Sequence, residues 1–333
     1  MKFDISLMGI QLKNPLIVAS SSLTNSVKNV INCEKHGAAA VVLKSLYEEQ
    51  ILADSDKLVE QDEMYQWYPQ AMDFVQNISK EEGLEAYLNL IRSCKKDVSI
   101  PVFASINCYS AQEWPKFAIE LENAGADAIE LNITIFPSDP MISPIDIESR
   151  YMEIITTVRK MVKVPVTVKL SSYFMNIQRI VMKMCEAGAS GMVLFNRLYR
   201  PDIDIDSMKM ITRDTLSSPE ELTHSLRWIG LLSAKVRCDL IAGTGIHDAA
   251  GVIKQLLAGA KAVEICSVLY ENGIGYIRDI LNDMEAWMKR KGYDSIDDFR
   301  GSINLDPHNS AAWERIHFMK KTSGNIIKPI NLD

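Results

Sequence analysis

One phrase occurs four times in this chain and constrains its fold more than any other feature. His36-Gly37-Ala38-Ala39-Ala40-Val41-Val42 returns as Ala124-Gly125-Ala126-Asp127-Ala128-Ile129, as Ala187-Gly188-Ala189-Ser190-Gly191-Met192-Val193 and as Ala258-Gly259-Ala260-Lys261-Ala262-Val263. In each copy a helical pattern stops at a glycine, the residue that suits the left-handed position just past a helix C-terminus. An apolar run of strand length follows at once, without polar alternation, as in a strand buried on both faces. A helix stop feeding directly into such a strand is the helix-to-strand joint of a parallel sheet. Four of them in one chain favour a barrel or a doubly wound sheet over two unrelated domains.

Filling in the rest predicts eight strands, over Leu16–Ser20, Ala39–Leu43, Val102–Ile106, Ala128–Leu131, Val166–Leu170, Gly191–Phe195, Leu240–Ala242 and Ala262–Ile265. Helical periodicity lies between them, as at Trp114–Asn123 and Tyr151–Met161. Pro101 and Pro165 stand at strand entrances, where a missing N–H matters least. Eight strands alternating with helices and closing near residue 300 is the count of a TIM (β/α)8 barrel. The barrel is expected over 1–301, with 302–333 as a C-terminal extension, irregular apart from a helical patch at Ala311–Lys321. Long inserts at Leu46–Gln76, Ile133–Ile147 and Arg197–Pro219 follow strands two, four and six, on the face where barrels carry chemistry.

Composition narrows the partners. Hydrophobic residues make up 47 % of the chain and charged residues 24 %, ample for a core. A net charge of −7 argues against a nucleic-acid surface. No window approaches the roughly 20 apolar residues of a membrane span, and Met1–Leu7 is too mixed for a signal peptide. The six cysteines, at 33, 94, 108, 185, 238 and 266, are scattered without a CxxC pair and read as small buried hydrophobes of a reducing compartment. A cytoplasmic protein with a small-molecule ligand, and with no nucleic-acid, membrane or metal partner, is expected.

The strand ends carry the chemistry. Strand one ends in Ala19-Ser20, strand two in Lys44-Ser45, strand three at Asn107, strand four at Asn132, strand five at Lys169 and strand six at Asn196. One lysine after an apolar strand is readily explained by snorkelling to solvent. Two lysines and three asparagines at matching depth supply cations and amides that both donate and accept. Strands seven and eight end in Gly243-Thr244-Gly245 and Cys266-Ser267, small-residue turns whose N–H groups can approach a phosphate, although tight turning alone would also explain them. A planar ligand rich in acceptors, with a phosphate tail, matches the set; flavin mononucleotide (FMN) is such a ligand. A Cβ in these turns is tolerable if φ stays negative. Among the five histidines, His247 alone is expected near this site, as a helix N-terminal cap.

With these residues in order, the chain resembles the dihydroorotate dehydrogenase family, flavin-dependent barrels that oxidise dihydroorotate to orotate in pyrimidine metabolism. The likeness runs over roughly 1–301 and rests on Leu12-Lys13-Asn14-Pro15-Leu16-Ile17-Val18-Ala19-Ser20, Val42-Leu43-Lys44-Ser45, Ile129-Glu130-Leu131-Asn132, Val166-Thr167-Val168-Lys169-Leu170, Phe195-Asn196, Gly243–Ile246 and Lys291-Gly292-Tyr293-Asp294-Ser295-Ile296-Asp297-Asp298-Phe299-Arg300-Gly301. The resemblance implies that Ala19 and Ser20 line the flavin, that Lys44, Asn132 and Asn196 contact flavin and substrate, and that Lys169 offsets the charge gained by the reduced ring. It also implies a homodimer, and it leaves open an iron–sulfur partner subunit, as in one class of the family.

The departures are specific. The family's catalytic Cys or Ser falls at Ile135, which cannot take a proton, and an expected asparagine is Pro137. Thr134 and Ser138 are hydroxyls on the same loop that could substitute, while Cys108 reads as a packed thiol. The Asn-rich loop after strand two is replaced by Tyr65-Gln66-Trp67-Tyr68-Pro69-Gln70, whose Trp67/Tyr68 pair either stacks on a ligand or seals the pocket. Arg197 stands where Ser or Thr is expected, Ser218 replaces a glycine, and Cys266-Ser267 replaces Gly-Thr. Two readings follow for function: an oxidoreductase acting on a CH–CH bond of a different small cyclic substrate, or a catalytically inactive paralogue that keeps the barrel, with or without FMN, as a binding or regulatory protein. A non-flavin phosphate-binding barrel fits the paired lysines and asparagines less well.

Overall fold

Gly37, Gly125, Gly188 and Gly259 have φ of +106°, +102°, +112° and +111°, so all four repeated joints turn through the left-handed region that a Cβ disfavours. In every copy the next strand begins three residues after the glycine. The local pattern therefore does in three dimensions what its repetition suggests.

The computed structural model describes residues 1–47, 83–108, 114–135, 141–197, 200–212, 215–303 and 319. Ser138, Pro137, the Tyr65–Gln70 segment with its Trp67/Tyr68 pair, most of the Ala311–Lys321 patch and the side chain of Cys108 lie outside the described residues. The barrel strands are β1 (Leu16–Val18), β2 (Ala40–Val42), β3 (Val102–Cys108), β4 (Ala128–Ile133), β5 (Val166–Leu170), β6 (Gly191–Leu194), β7 (Asp239–Ala242) and β8 (Ala262–Ile265). They are parallel and ordered β2-β1-β8-β7-β6-β5-β4-β3, and β2 pairs back onto β3, closing the sheet. This is the expected (β/α)8 barrel, with strand ends within two residues of those read from the sequence.

Helices α1 (Val27–Lys35), α2 (Leu84–Asp97), α3 (Trp114–Asn123), α4 (Pro144–Met161), α5 (Ile177–Glu186), α6 (Leu222–Leu232), α7 (Ala249–Ala258) and α8 (Tyr276–Lys291) form the outer ring. Their inward stripes, including Ile91, Val158, Met184 and Met284, are fully buried against the barrel. Each such side chain contributes about 1.5–3 kcal/mol of burial free energy.

Among the described residues, two hairpins lie outside the barrel count. At the N-terminus, Ile5–Leu7 pairs with Ile10–Leu12 and sits across the strand entrances: Met8 N–H donates to Asp239 Oδ2 at 2.6 Å. Lys2 also exchanges backbone hydrogen bonds with Asp294 and Ile296. In the insert after β6, Pro201–Asp204 pairs with Lys209–Thr212 in an exposed hairpin that its Asp- and Met-rich sequence did not suggest. The cysteine expectation needs a correction. Cys185 and Cys238 are joined in a disulfide with Cα atoms 5.6 Å apart, because α5 and the segment entering β7 bring together two residues that the sequence separates by 53. Cys33 and Cys94 are free and buried, as expected.

Candidate active site

Register assembles the polar rim. Asn107 on β3 is the Cα partner of Asn132 on β4, and Asn132 is the partner of Lys169 on β5, so the three stand side by side at one level of the barrel. Asn196, held past the end of β6 by its N–H to Leu170 O at 2.8 Å, donates through Nδ2 to Asn132 Oδ1 at 2.9 Å. On the other side of the mouth, Ala19 N–H donates to Ile265 O at 3.0 Å, and Ser45 N–H donates to Ser20 Oγ at 2.9 Å. Lys44 is half-buried between them. The ends of all six strands singled out from sequence therefore meet at one end of one barrel.

Beneath this tier lies a charged layer. Lys169 Nζ and Glu264 Oε2 are 2.8 Å apart, with side chains only 11 % and 2 % exposed. Glu130, on β4 one turn of the pleat below Asn132, is 1 % exposed and accepts from Ser105 Oγ at 3.0 Å. Burial, and then the neighbouring Glu264, push its carboxyl up from 4.5 to about 8. Burial opposes the charge on Lys169, yet Glu264 and Glu130 together drive its pKa above the ordinary lysine range, so it stays a cation. Glu130, Glu264 and Ser105 were not singled out from sequence. A carboxylate inside an apolar barrel strand was the available signal.

The turn after β7 is tight. A Cβ on Gly245 (φ +78°) would run into the backbone of Leu222, and one on Gly243 would come within 3.3 Å of Phe195 O. Thr244 departs from the expectation of negative φ: it sits at +69°. Its hydroxyl donates to Phe195 O at 2.9 Å, which offsets part of the roughly 1–2 kcal/mol cost of that conformation. Cys266, in the turn after β8, keeps a negative φ of −146°. The two turns are joined by Ser217, which accepts from Gly245 N–H at 3.3 Å and donates to Ser267 Oγ at 3.0 Å. His247 is not the helix cap: Asp248 caps α7, accepting from Gly251 N–H at 2.7 Å. His247 instead bridges Ser217 Oγ and Glu271 Oε2, each at 3.2 Å, because its ring points back over the turn.

A cavity of about 250 Å³ opens beside this turn, lined among others by Tyr173, Asn196, Arg197, His224, Gly243 and Thr244. His224, brought in by α6, stacks near Phe195 at 5.0 Å between ring centres and was not expected at the site. Arg197 does not point freely into the cavity; Glu221 holds it at 3.1 Å and Thr215 O accepts from it at 3.1 Å. On the loop after β4, Thr134 is half-buried and Ile135 packs against the hydrophobic core, so no proton acceptor stands at position 135. Among the described residues no group of three or more His, Cys, Asp or Glu side chains is arranged to hold a metal ion.

The closed parallel barrel gathers lysines, amides and glycine turns at its C-terminal mouth, the face on which (β/α)8 proteins carry their ligand sites. The family model for dihydroorotate dehydrogenase matches residues 3–288, and the chain belongs to that family. The catalytic subunit of dihydroorotate dehydrogenase B (NAD(+)) from Thermoplasma volcanium is 29 % identical over 310 residues, covering 90 % of this chain and 98 % of that protein. The equivalent subunit from Caldicellulosiruptor bescii is 27 % identical over 321 residues (92 % and 100 %), and that from Pyrococcus abyssi is 27 % identical over 307 residues (90 % and 98 %). The fold and family expected from sequence stand.

Proposed function

We propose that this chain is an FMN-dependent oxidoreductase that acts on a CH–CH bond of a small cyclic substrate other than dihydroorotate. The observation that carries the proposal is the single tier of Asn107, Asn132 and Lys169, with Asn196 bonded into it and Lys169 held as a buried cation, beside a turn whose Gly243 and Gly245 leave little room for a Cβ. FMN, when bound, supplies a hydride acceptor. The residues present fit it: Lys169 stays charged where electron density would gather, and Gly243, Thr244, Gly245, Cys266 and Ser267 form a small-residue cradle for a phosphate. Ala19, Ser20, Ser45 and Asn107 would line the ring, and Lys44, Asn132 and Asn196 would orient the substrate. The barrel over 1–301 would act in the cytoplasm as a homodimer. The relatives' designation as catalytic subunits supports a second, iron–sulfur subunit as a candidate partner.

Ile135 favours a second reading, a non-catalytic paralogue that keeps the barrel, with or without the flavin, as a binding protein, since proton removal from a C–H bond needs a positioned base. An absorption spectrum of the purified protein, recorded before and after adding FMN, tests both. A bound-flavin spectrum that a dihydropyrimidine or related cyclic acid bleaches supports the oxidoreductase. Bound flavin that no such compound bleaches supports the paralogue, and a protein that refuses FMN ends the oxidoreductase reading and leaves a paralogue that binds a different ligand.

A further inference from the structure

Glu130 has a carboxyl group deep in the barrel that nothing above employs. Its Oε1 accepts from Ser105, while its Oε2 is buried without a hydrogen-bond partner and faces Glu264. From Ser105 the contacts continue outward: Ser105 Oγ lies 2.8 Å from Ser45 Oγ, which lies 3.0 Å from Ser20 Oγ. Ser105 and Ser45 are buried, and Ser20 is half-buried at the mouth. Each hydroxyl can donate and accept at once, so the row is an unbroken hydrogen-bonded path from barrel centre to barrel mouth. Tyr87 holds its inner end rigid: the phenol accepts from Ser105 N–H at 2.9 Å and donates to Ser105 O at 3.1 Å.

We propose that Ser20, Ser45 and Ser105 form a proton relay between the ligand site at the barrel mouth and the Glu130–Glu264 carboxyl pair, which serves as a buried proton store. A proton arriving at Ser20 Oγ forms an O–H bond there as Ser20's own proton passes to Ser45. Ser45 passes its proton to Ser105, and Ser105 passes its proton to Glu130 Oε1. If Glu130 already holds a proton on Oε2, that proton crosses to Glu264, which then releases Lys169 from its ion pair. One proton moves from mouth to store, every hydroxyl is restored, and no electron changes hands; the reverse sequence returns the proton.

The charged and titratable groups around the store agree with this role. Burial and Glu264 raise the Glu130 carboxyl while Lys169 and Ser105 oppose them, which puts its exchange near neutral pH. Burial also raises the Tyr87 phenol and the Cys266 thiol, so both remain neutral bystanders. The relay reaches the mouth without using position 135. Its service to a flavin or a substrate rests on the function proposed above; its existence does not.

Infrared spectroscopy of the protein without added flavin tests it. At neutral pH a C=O stretch of a protonated carboxylic acid is expected, and Glu130→Gln should remove it. On rapid mixing into D2O the band shifts as O–H becomes O–D. Ser45→Ala should slow that shift by on the order of tenfold or more, the effect of about 1.4 kcal/mol on a barrier. Ser105→Ala should do the same, and Ser45→Thr, which keeps the hydroxyl, should exchange at the wild-type rate. Wild-type exchange in Ser45→Ala, or a band that survives Glu130→Gln, would overturn the relay. If Glu130→Gln does not fold, the Ser45→Ala and Ser45→Thr pair decides the question alone. Slowed exchange in a protein that refuses FMN would keep the relay and discard the flavin reading.

Discussion

The barrel mouth has two sides that differ in kind. Along β3, β4 and β5 the rim is an ordered tier in which strand register fixes every polar side chain. Beyond the ends of β4 and β6 the loops instead carry Ile135, half-buried against the core where the family resemblance implies a base, and Arg197, tied to Glu221. Positions carried by strands are locked by the whole sheet, whereas positions carried by loops can change without disturbing the barrel. Ligand binding and substrate chemistry are therefore separable in this fold, and the function proposed above keeps the first while changing the second.

Breaking the strand side should cost most. Lys169→Ala would leave Glu264 and Glu130 buried without their cation, so a loss of about 3–5 kcal/mol in denaturant unfolding is expected, together with loss of FMN binding. Unchanged stability would mean that the charged layer is solvated. Gly245→Ala should come next, at about 1–3 kcal/mol, from its positive φ and the close backbone of Leu222, with weaker FMN binding read by absorbance titration.

A pH series sharpens the same contrast. Burial and Glu264 raise the Glu130 carboxyl from 4.5 to about 8, so between those values the native state holds a proton that the unfolded chain has given up. Its contribution is complete below pH 4.5 and is lost as pH rises through about 8, with a limiting slope of about 1.4 kcal/mol per pH unit. Melting temperature should fall over that window in the wild type and fall less steeply in Glu130→Gln. The smallest structural effect belongs to the loop side. Ile135→Cys should cost less than about 1.5 kcal/mol yet raise any trace dihydroorotate turnover measured by flavin bleaching. No gain would show that the loops after β2 and β6, and not only the missing base, exclude that substrate.

Legibility in the sequence followed the same division. The four glycine joints announced the barrel because helix termination and strand entry are local events, and the rim lysines and asparagines stood out because each directly follows an apolar strand. Glu130 was visible within Ile129-Glu130-Leu131-Asn132, but its partners Ser105 and Glu264 come from strands that only barrel closure makes neighbours. Ser217, His224 and the true role of His247 depend on how the loop after β6 and helix α6 fold back over the β7 turn, and no local periodicity encodes that. Thr244 shows the limit of a propensity rule: a β-branched residue takes the left-handed turn, with one hydroxyl hydrogen bond offsetting part of the cost.

The N-terminal hairpin ties the start of the chain to its far end. Met8 is bonded to Asp239, 231 residues away, and Lys2 to Asp294 and Ile296. The hairpin's two strands pair with each other, but the residues that anchor it to the barrel are synthesised far later. Contacts across so long a stretch of chain carry a large loop-closure cost, so the buried face of the hairpin gains its cover only after residues 239–296 have been made.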